Sequence, residues 1–132
     1  MLTKKPLIAI VDDDESMREA IKGLMRSLGF DTEIFSSADD FLRFPNLRST
    51  TCLVSDIHMP GMSGFDLQRR LVALGQSIPT ILITAYPAES ERARGLGADI
   101  VCFLTKPFDE QDLLDCIHTA VARSDSDGKR CS

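Results

Sequence analysis

Apolar side chains along this chain fall into two alternating spacings. Leu7-Ile8-Ala9-Ile10-Val11 is an unbroken run of branched and small residues, the composition of a strand covered on both faces. Met17, Ala20, Ile21, Leu24, Met25 and Leu28 then recur every third or fourth position, and Gly29 follows them. That spacing draws one face of a helix with a glycine to end it. Residues 32–35 predict a second strand. Ser37 then caps a short helix carrying Phe41 and Leu42, with Asp40 as its capping-box partner and Pro45 as its stop.

The alternation continues. Residues 52–55 predict the third strand, with Asp56 at its end, then a loop from Met59 to Gly64 and a helix buried through Phe65, Leu67, Leu71 and Leu74. Pro79 opens a fourth strand, Thr80–Thr84, and residues 100–104 predict the fifth. Asp109 is placed to cap the last helix, with Asp112 at its third position and Phe108 set to pack on Leu113. Leu113, Leu114, Ile117, Ala120 and Val121 form its buried face. Five strand–helix repeats predict an α/β fold with a doubly wound parallel sheet, and the flavodoxin-like (βα)5 order 2-1-3-4-5 fits best. Residues 1–123 read as one domain and the polar stretch 124–132 as a tail or linker stub.

The weakest segment is 88–97. It offers only Ala88, Ala93 and Leu96 for burial, and Gly95 and Gly97 each cost about 1 kcal/mol relative to alanine inside a helix. A short fourth helix ending near Arg94, the least stable of the fold, is the expectation.

Composition narrows the picture. At 132 residues, 43% hydrophobic and 27% charged, the chain has the make-up of one soluble domain, which excludes long disorder and coiled coils. A net charge of −5 leaves no broad basic face for nucleic acid. No apolar run approaches the roughly 18 residues of a membrane helix. The run at Leu7 is too short for a signal-peptide core, so the expected location is cytoplasmic. The cysteines at 52, 102, 116 and 131 form no CxxC, and reduced thiols are expected. His58 and His118 sit in no metal-ligand spacing.

Ligands of such sheets bind beyond the carboxyl ends of the strands, between strands 1 and 3. Strand 1 ends in Asp12-Asp13, strand 3 in Asp56, strand 4 in Thr84 and strand 5 in Thr105-Lys106-Pro107. Three carboxylates gathered there repel one another. A divalent cation relieves the repulsion, and all-oxygen ligands with room for water suit Mg²⁺. A lysine and a hydroxyl beside them can hold a transferred phosphoryl group.

Val11-Asp12-Asp13, Ser55-Asp56-Ile57-His58-Met59-Pro60-Gly61-Met62-Ser63-Gly64, Thr84-Ala85 and Lys106-Pro107-Phe108 together resemble the receiver domain of bacterial two-component response regulators. The resemblance covers residues 5–122. Phe35-Ser36-Ser37-Ala38-Asp39-Asp40-Phe41-Leu42 and Ile78-Pro79-Thr80-Ile81-Leu82-Ile83-Thr84 look most like FixJ-type receivers. The resemblance implies that Asp56 is the phosphoacceptor and that Asp13 and Asp56 ligate Mg²⁺ directly. It further implies that Asp12 acts through water and that the His58 carbonyl completes the set. Thr84 and Lys106 would hold the phosphoryl group, Phe103 stands at the switch-aromatic position, and Lys106-Pro107 resembles the family's cis peptide. The implied donor is a sensor histidine kinase or phosphotransfer protein. The implied output is transcription through a DNA-binding domain, with homodimers formed on the helix 4–strand 5–helix 5 face. On this reading the chain is a signalling domain rather than an enzyme.

The rival reading is a Mg²⁺-dependent aspartyl-phosphate phosphatase or phosphotransferase. Asp12-Asp13-Asp14 formally contains its DxD, but 132 residues leave no room for a cap domain. Asp14 and Glu15 read more simply as helix N-terminal charges, and Phe103 serves equally as core.

Overall fold

Parity along the first strand divides the core. In β1 (Leu7–Val11) Ile8 and Ile10 point to one face of the sheet and Ala9 and Val11 to the other. The computed structural model describes residues 5–89 and 99–131. Strands β2 (Asp31–Phe35), β3 (Cys52–Asp56), β4 (Thr80–Thr84) and β5 (Ile100–Thr105) join β1 in one five-stranded sheet of order β2-β1-β3-β4-β5. Every pairing is parallel. β3 and β4 are buried along their whole length, whereas the edge strands β2 and β5 are largely half-buried or exposed. β2 begins one residue earlier than the pattern predicted, and β5 runs one residue longer.

Helix α1 (Glu15–Ser27) and the C-terminal helix (Glu110–Cys131) close one face, over Ile8, Ile10, Val54, Ile81 and Ile83. Helices α2 (Ala38–Leu42) and α3 (Gly64–Ala73) close the other, over Ala9, Val11 and Leu53. Asp14 caps α1, its side chain accepting from the Ser16 and Met17 N–H groups. At the far end Gly29 takes φ +87°; its N–H donates to Arg26 O and that of Phe30 to Met25 O. This is a left-handed stop that favours glycine. Buried faces depart from the periodicity at helix ends. Leu74 is 56% exposed because α3 stops at Ala73 and Leu74 forms the cap, while Gln68 is buried in its place. Leu28, the cap after α1, is likewise exposed, and so is Ala20 in the middle of that helix. The capping box expected at α2 is half made. Ser37 Oγ accepts from the Asp40 N–H at 3.1 Å, but the Asp40 carboxylate accepts from Ser36 Oγ and Arg43 Nη1 instead.

A 3-10 turn at Leu47–Ser49 leads into β3, and another, Pro87–Glu89, follows β4. The rest of the expected fourth helix, residues 90–98, lies outside the described residues. The polar stretch 124–132, expected as a tail, continues the helical backbone as far as Cys131. No helix among the described residues is long and apolar enough to cross a membrane. Cys52, Cys102 and Cys116 carry free thiols, and burial pushes Cys116 up to about 12.

Candidate functional site

Carboxyl ends of parallel strands point one way, so the residue just past each strand is delivered to a common rim. Asp12 directly follows β1, Asp56 ends β3, Thr84 ends β4 and Lys106 directly follows β5. One carboxylate oxygen from each of Asp12, Asp13 and Asp56 lies within 4.8 Å of the others. Lys106 Nζ stands 3.2 Å from Asp56 Oδ2 and 3.9 Å from Asp12 Oδ2. The 106–107 peptide bond that carries this lysine is cis.

Burial sorts the three acids. Asp12 is 1% and Asp56 7% exposed, whereas Asp13 faces solvent. Desolvation pushes the Asp12 carboxyl up to about 6, with the nearby Asp56 and Asp13 charges adding to the rise. The Asp14 N–H and Lys106 hold it down in part. Asp12 Oδ1 accepts from that N–H at 2.9 Å, while Oδ2 is buried without a hydrogen-bond partner. An acceptor left unsatisfied in this way costs about 1–3 kcal/mol. Three carboxylates against one lysine therefore form an oxygen-only set short of positive charge, and the residues present fit a hard divalent cation.

The loop between β3 and α3 is tightly built. His58 N–H donates to Asp56 Oδ1 at 3.3 Å, and the His58 ring meets the Tyr86 ring edge-on at 5.0 Å. Ser63 caps α3 in a reciprocal box with Asp66. Hydrogen bonds from Ser63 hold the exposed Asp66 carboxyl below its ordinary range. Gly64 packs against the Asp56 carbonyl, and a Cβ there would lie 2.7 Å from that oxygen. Beside Lys106, an apolar recess of about 400 Å³ is lined by Met17, Lys106, Pro107 and Phe108.

The sequence pattern of the response regulator receiver domain matches residues 8–118, a stretch that holds the acid cluster and all five strands except Leu7. This chain belongs to that family. The receiver is 41% identical over 121 residues to response regulator protein TmoT of Ectopseudomonas mendocina, covering 92% of this chain and 55% of that protein. It is 33% identical over 129 residues to transcriptional regulatory protein FixJ of Bradyrhizobium diazoefficiens, covering 97% of this chain and 62% of FixJ. Among solved structures it matches response regulator StyR with a TM-score of 0.86 at 41% identity, covering 96% of this chain and 64% of that one. It matches FixJ-N with a TM-score of 0.79 at 35% identity, covering 91% and 96%. The FixJ-like resemblance and the flavodoxin-like strand order both hold. The chain spans roughly half to three fifths of the curated relatives it matches.

In this receiver Asp12, Asp13, Asp56 and Lys106 come together as the motifs suggested. Thr84 is fully buried at the same end of the sheet, one place beyond the Asp56–Ile83 pair, and its Oγ1 accepts from the Tyr86 N–H at 3.1 Å. Phe103 is half-buried and packs against the cluster of Ile57, Phe65 and Leu82. Sequence reasoning passed over Tyr86 and Arg18, whose Nη1 donates to the Asp12 carbonyl at 2.8 Å. The only signal for Arg18 was a basic residue one turn past the capping acid, and such residues are common on helices.

Proposed function

We propose that Asp56 accepts a phosphoryl group from the phosphohistidine of a sensor histidine kinase or phosphotransfer protein, and that the modified domain switches an output. The observation that carries this reading is the meeting of three carboxylate oxygens within 4.8 Å, with Lys106 at 3.2 Å from Asp56. An Asp56 carboxylate oxygen attacks phosphorus and forms the O–P bond. The N–P bond breaks, its electron pair returns to the imidazole nitrogen, and the donor leaves as neutral histidine after taking up a proton. Lys106 follows the charge, from the carboxylate it now contacts to the phosphoryl oxygens, and the Thr84 hydroxyl donates to the same group.

Mg²⁺ is the proposed cofactor. Asp13 and Asp56 would hold it directly, Asp12 through water, and the His58 carbonyl as a further ligand. Bound there, it supplies the positive charge that the acids lack and neutralises the phosphoryl oxygens. The apolar recess at Met17 and Phe108 gives the donor protein a surface beside the acceptor. Residues 1–123 act as the receiver, with 124–132 as a polar tail or linker stub. The domain is cytoplasmic, binds no nucleic acid itself, has no enzymatic role beyond its own phosphotransfer, and pairs with a second copy through the face that includes β5 and the C-terminal helix. Phe103, on that strand, serves with Thr84 as the switch. FixJ is a transcriptional regulatory protein, and transcription is accordingly the proposed output.

The test is labelling by acetyl phosphate or phosphoramidate, read as the mass of one added phosphoryl group. Wild-type protein is expected to label only with Mg²⁺ present, and Asp56→Asn, which keeps the shape but loses the nucleophile, not at all. Normal labelling of the Asn variant would overturn the assignment.

A further inference from the structure

Asp12 is held on every side but one. Its main-chain N–H donates to Phe35 O at 3.1 Å. Its Oδ1 accepts from the Asp14 N–H at 2.9 Å, and its main-chain carbonyl accepts from Arg18 Nη1 at 2.8 Å. Oδ2 alone is left, buried and turned toward Lys106. The first two holds come from backbone groups and need no particular residue to donate or accept. The third is a side chain reaching back six positions, from a half-buried arginine that the phosphotransfer chemistry above does not use.

Arg18 is fastened at both ends of this reach. Its own N–H opens the α1 ladder by donating to Asp14 O at 3.0 Å, while its guanidinium grips the residue two places earlier. The turn that carries Asp12, Asp13 and Asp14 is thereby closed from the helix side. A guanidinium suits the task because it stays charged and presents several donors in a rigid plane.

We propose that Arg18 is a positioning residue for the acid cluster, clamping the Asp12 carbonyl so that the turn between β1 and α1 aims the Asp12 and Asp13 carboxylates at the cation. This rests on the reading of the cluster as a Mg²⁺ site. Electrostatics alone predicts the opposite effect. A cation this close repels Mg²⁺, so removing only its charge would tighten metal binding. A clamp, once removed, loosens the ligands and weakens binding, and contacts that orient metal ligands are typically worth 10- to 100-fold in affinity. The sign of the change therefore separates the two roles.

Two variants and two measurements decide it. Arg18→Met keeps the apolar stem but loses charge and donors, and Arg18→Lys keeps the charge with a shorter reach. Mg²⁺ affinity is measured by calorimetry on the intact chain. Exchange of the Asp14 amide, whose partner is Asp12 Oδ1, is followed by NMR in metal-free protein. Arg18→Met is expected to bind Mg²⁺ about tenfold more weakly and to exchange the Asp14 amide faster, with the later α1 amides unchanged. Arg18→Lys is expected to fall between it and wild type. Unchanged or tighter Mg²⁺ binding in Arg18→Met overturns the proposal, as does an unchanged Asp14 exchange rate. If wild-type protein takes up no Mg²⁺, the metal reading fails by itself, and the Asp14 exchange rates still judge the clamp.

Discussion

Desolvation of Asp12 links the site to pH. Its carboxyl rises from an ordinary 3.8 to about 6 in the fold, so the folded state holds a proton that the unfolded chain releases. The associated stability is fully present below about 3.8 and is lost as pH rises to about 6. Above that, keeping the ionised carboxylate buried costs a few kcal/mol, at about 1.4 kcal/mol per pKa unit. Asp12→Asn is nearly isosteric and carries no charge. Metal-free Asp12→Asn is therefore expected to be the more stable protein at pH 7, with the gap closing toward pH 4, as read by urea unfolding. Parallel curves across that range would contradict the burial argument. Lys106→Met keeps the stem but removes the cation 3.2 Å from Asp56. It is expected to leave Mg²⁺ affinity equal or improved, because a competing charge is gone, while abolishing the NMR shift response to phosphorylation.

Among the elements, the junction of β3 with α3 leaves no room for a side chain at Gly64. A Cβ on Gly64 would stand 2.7 Å from Asp56 O and 3.0 Å from Ile57 Cα, both backbone atoms that cannot swing aside. Gly64→Ala is expected to cost about 1–3 kcal/mol and to move the amide resonances of Asp56, Ile57 and His58. A normal unfolding midpoint with unmoved resonances would show that the junction yields. The same helix is tied to β4 through a buried polar chain, in which Gln68 Nε2 donates to Thr80 Oγ1 and Thr80 Oγ1 donates to Ile78 O. Gln68 is 2% and Thr80 0% exposed. Thr80→Val keeps the volume but strands the glutamine amide and the carbonyl, and a loss of about 1–3 kcal/mol is expected in denaturant titration.

Across the whole molecule, the proposed cation would offset the cost of burying the Asp12 carboxylate. A ligand that binds only the folded state at about 100 times its Kd stabilises by about 2.7 kcal/mol. Mg²⁺ is expected to raise the thermal midpoint, a chelator to reverse the rise, and Asp13→Ala to remove most of it. A midpoint indifferent to Mg²⁺ in wild-type protein would count against the metal site.

Much of this was legible along the chain because it depends on local periodicity. An unbroken apolar run such as Leu7–Val11 can satisfy itself only between two covered faces, and five strand segments separated by helical spacing leave few topologies. Asp12, Asp13, Asp56 and Lys106 were readable for the same reason, since parallel strands deliver their ends to one rim whatever the intervening chain does. Three-dimensional placement decided the remainder. Whether Leu74 or Gln68 lay inward depended on where α3 stopped, and the need for glycine at 64 arose only where the backbone met the Asp56 carbonyl. Thr84 turned its hydroxyl oxygen to the Tyr86 amide, and Phe103 packed half-buried against Ile57, Phe65 and Leu82. Arg18 reached Asp12 only because a strand end and a helix start were folded back on each other. Periodicity carries which face a residue occupies; desolvation, close approach and the partner of a given polar atom arise only when distant segments meet.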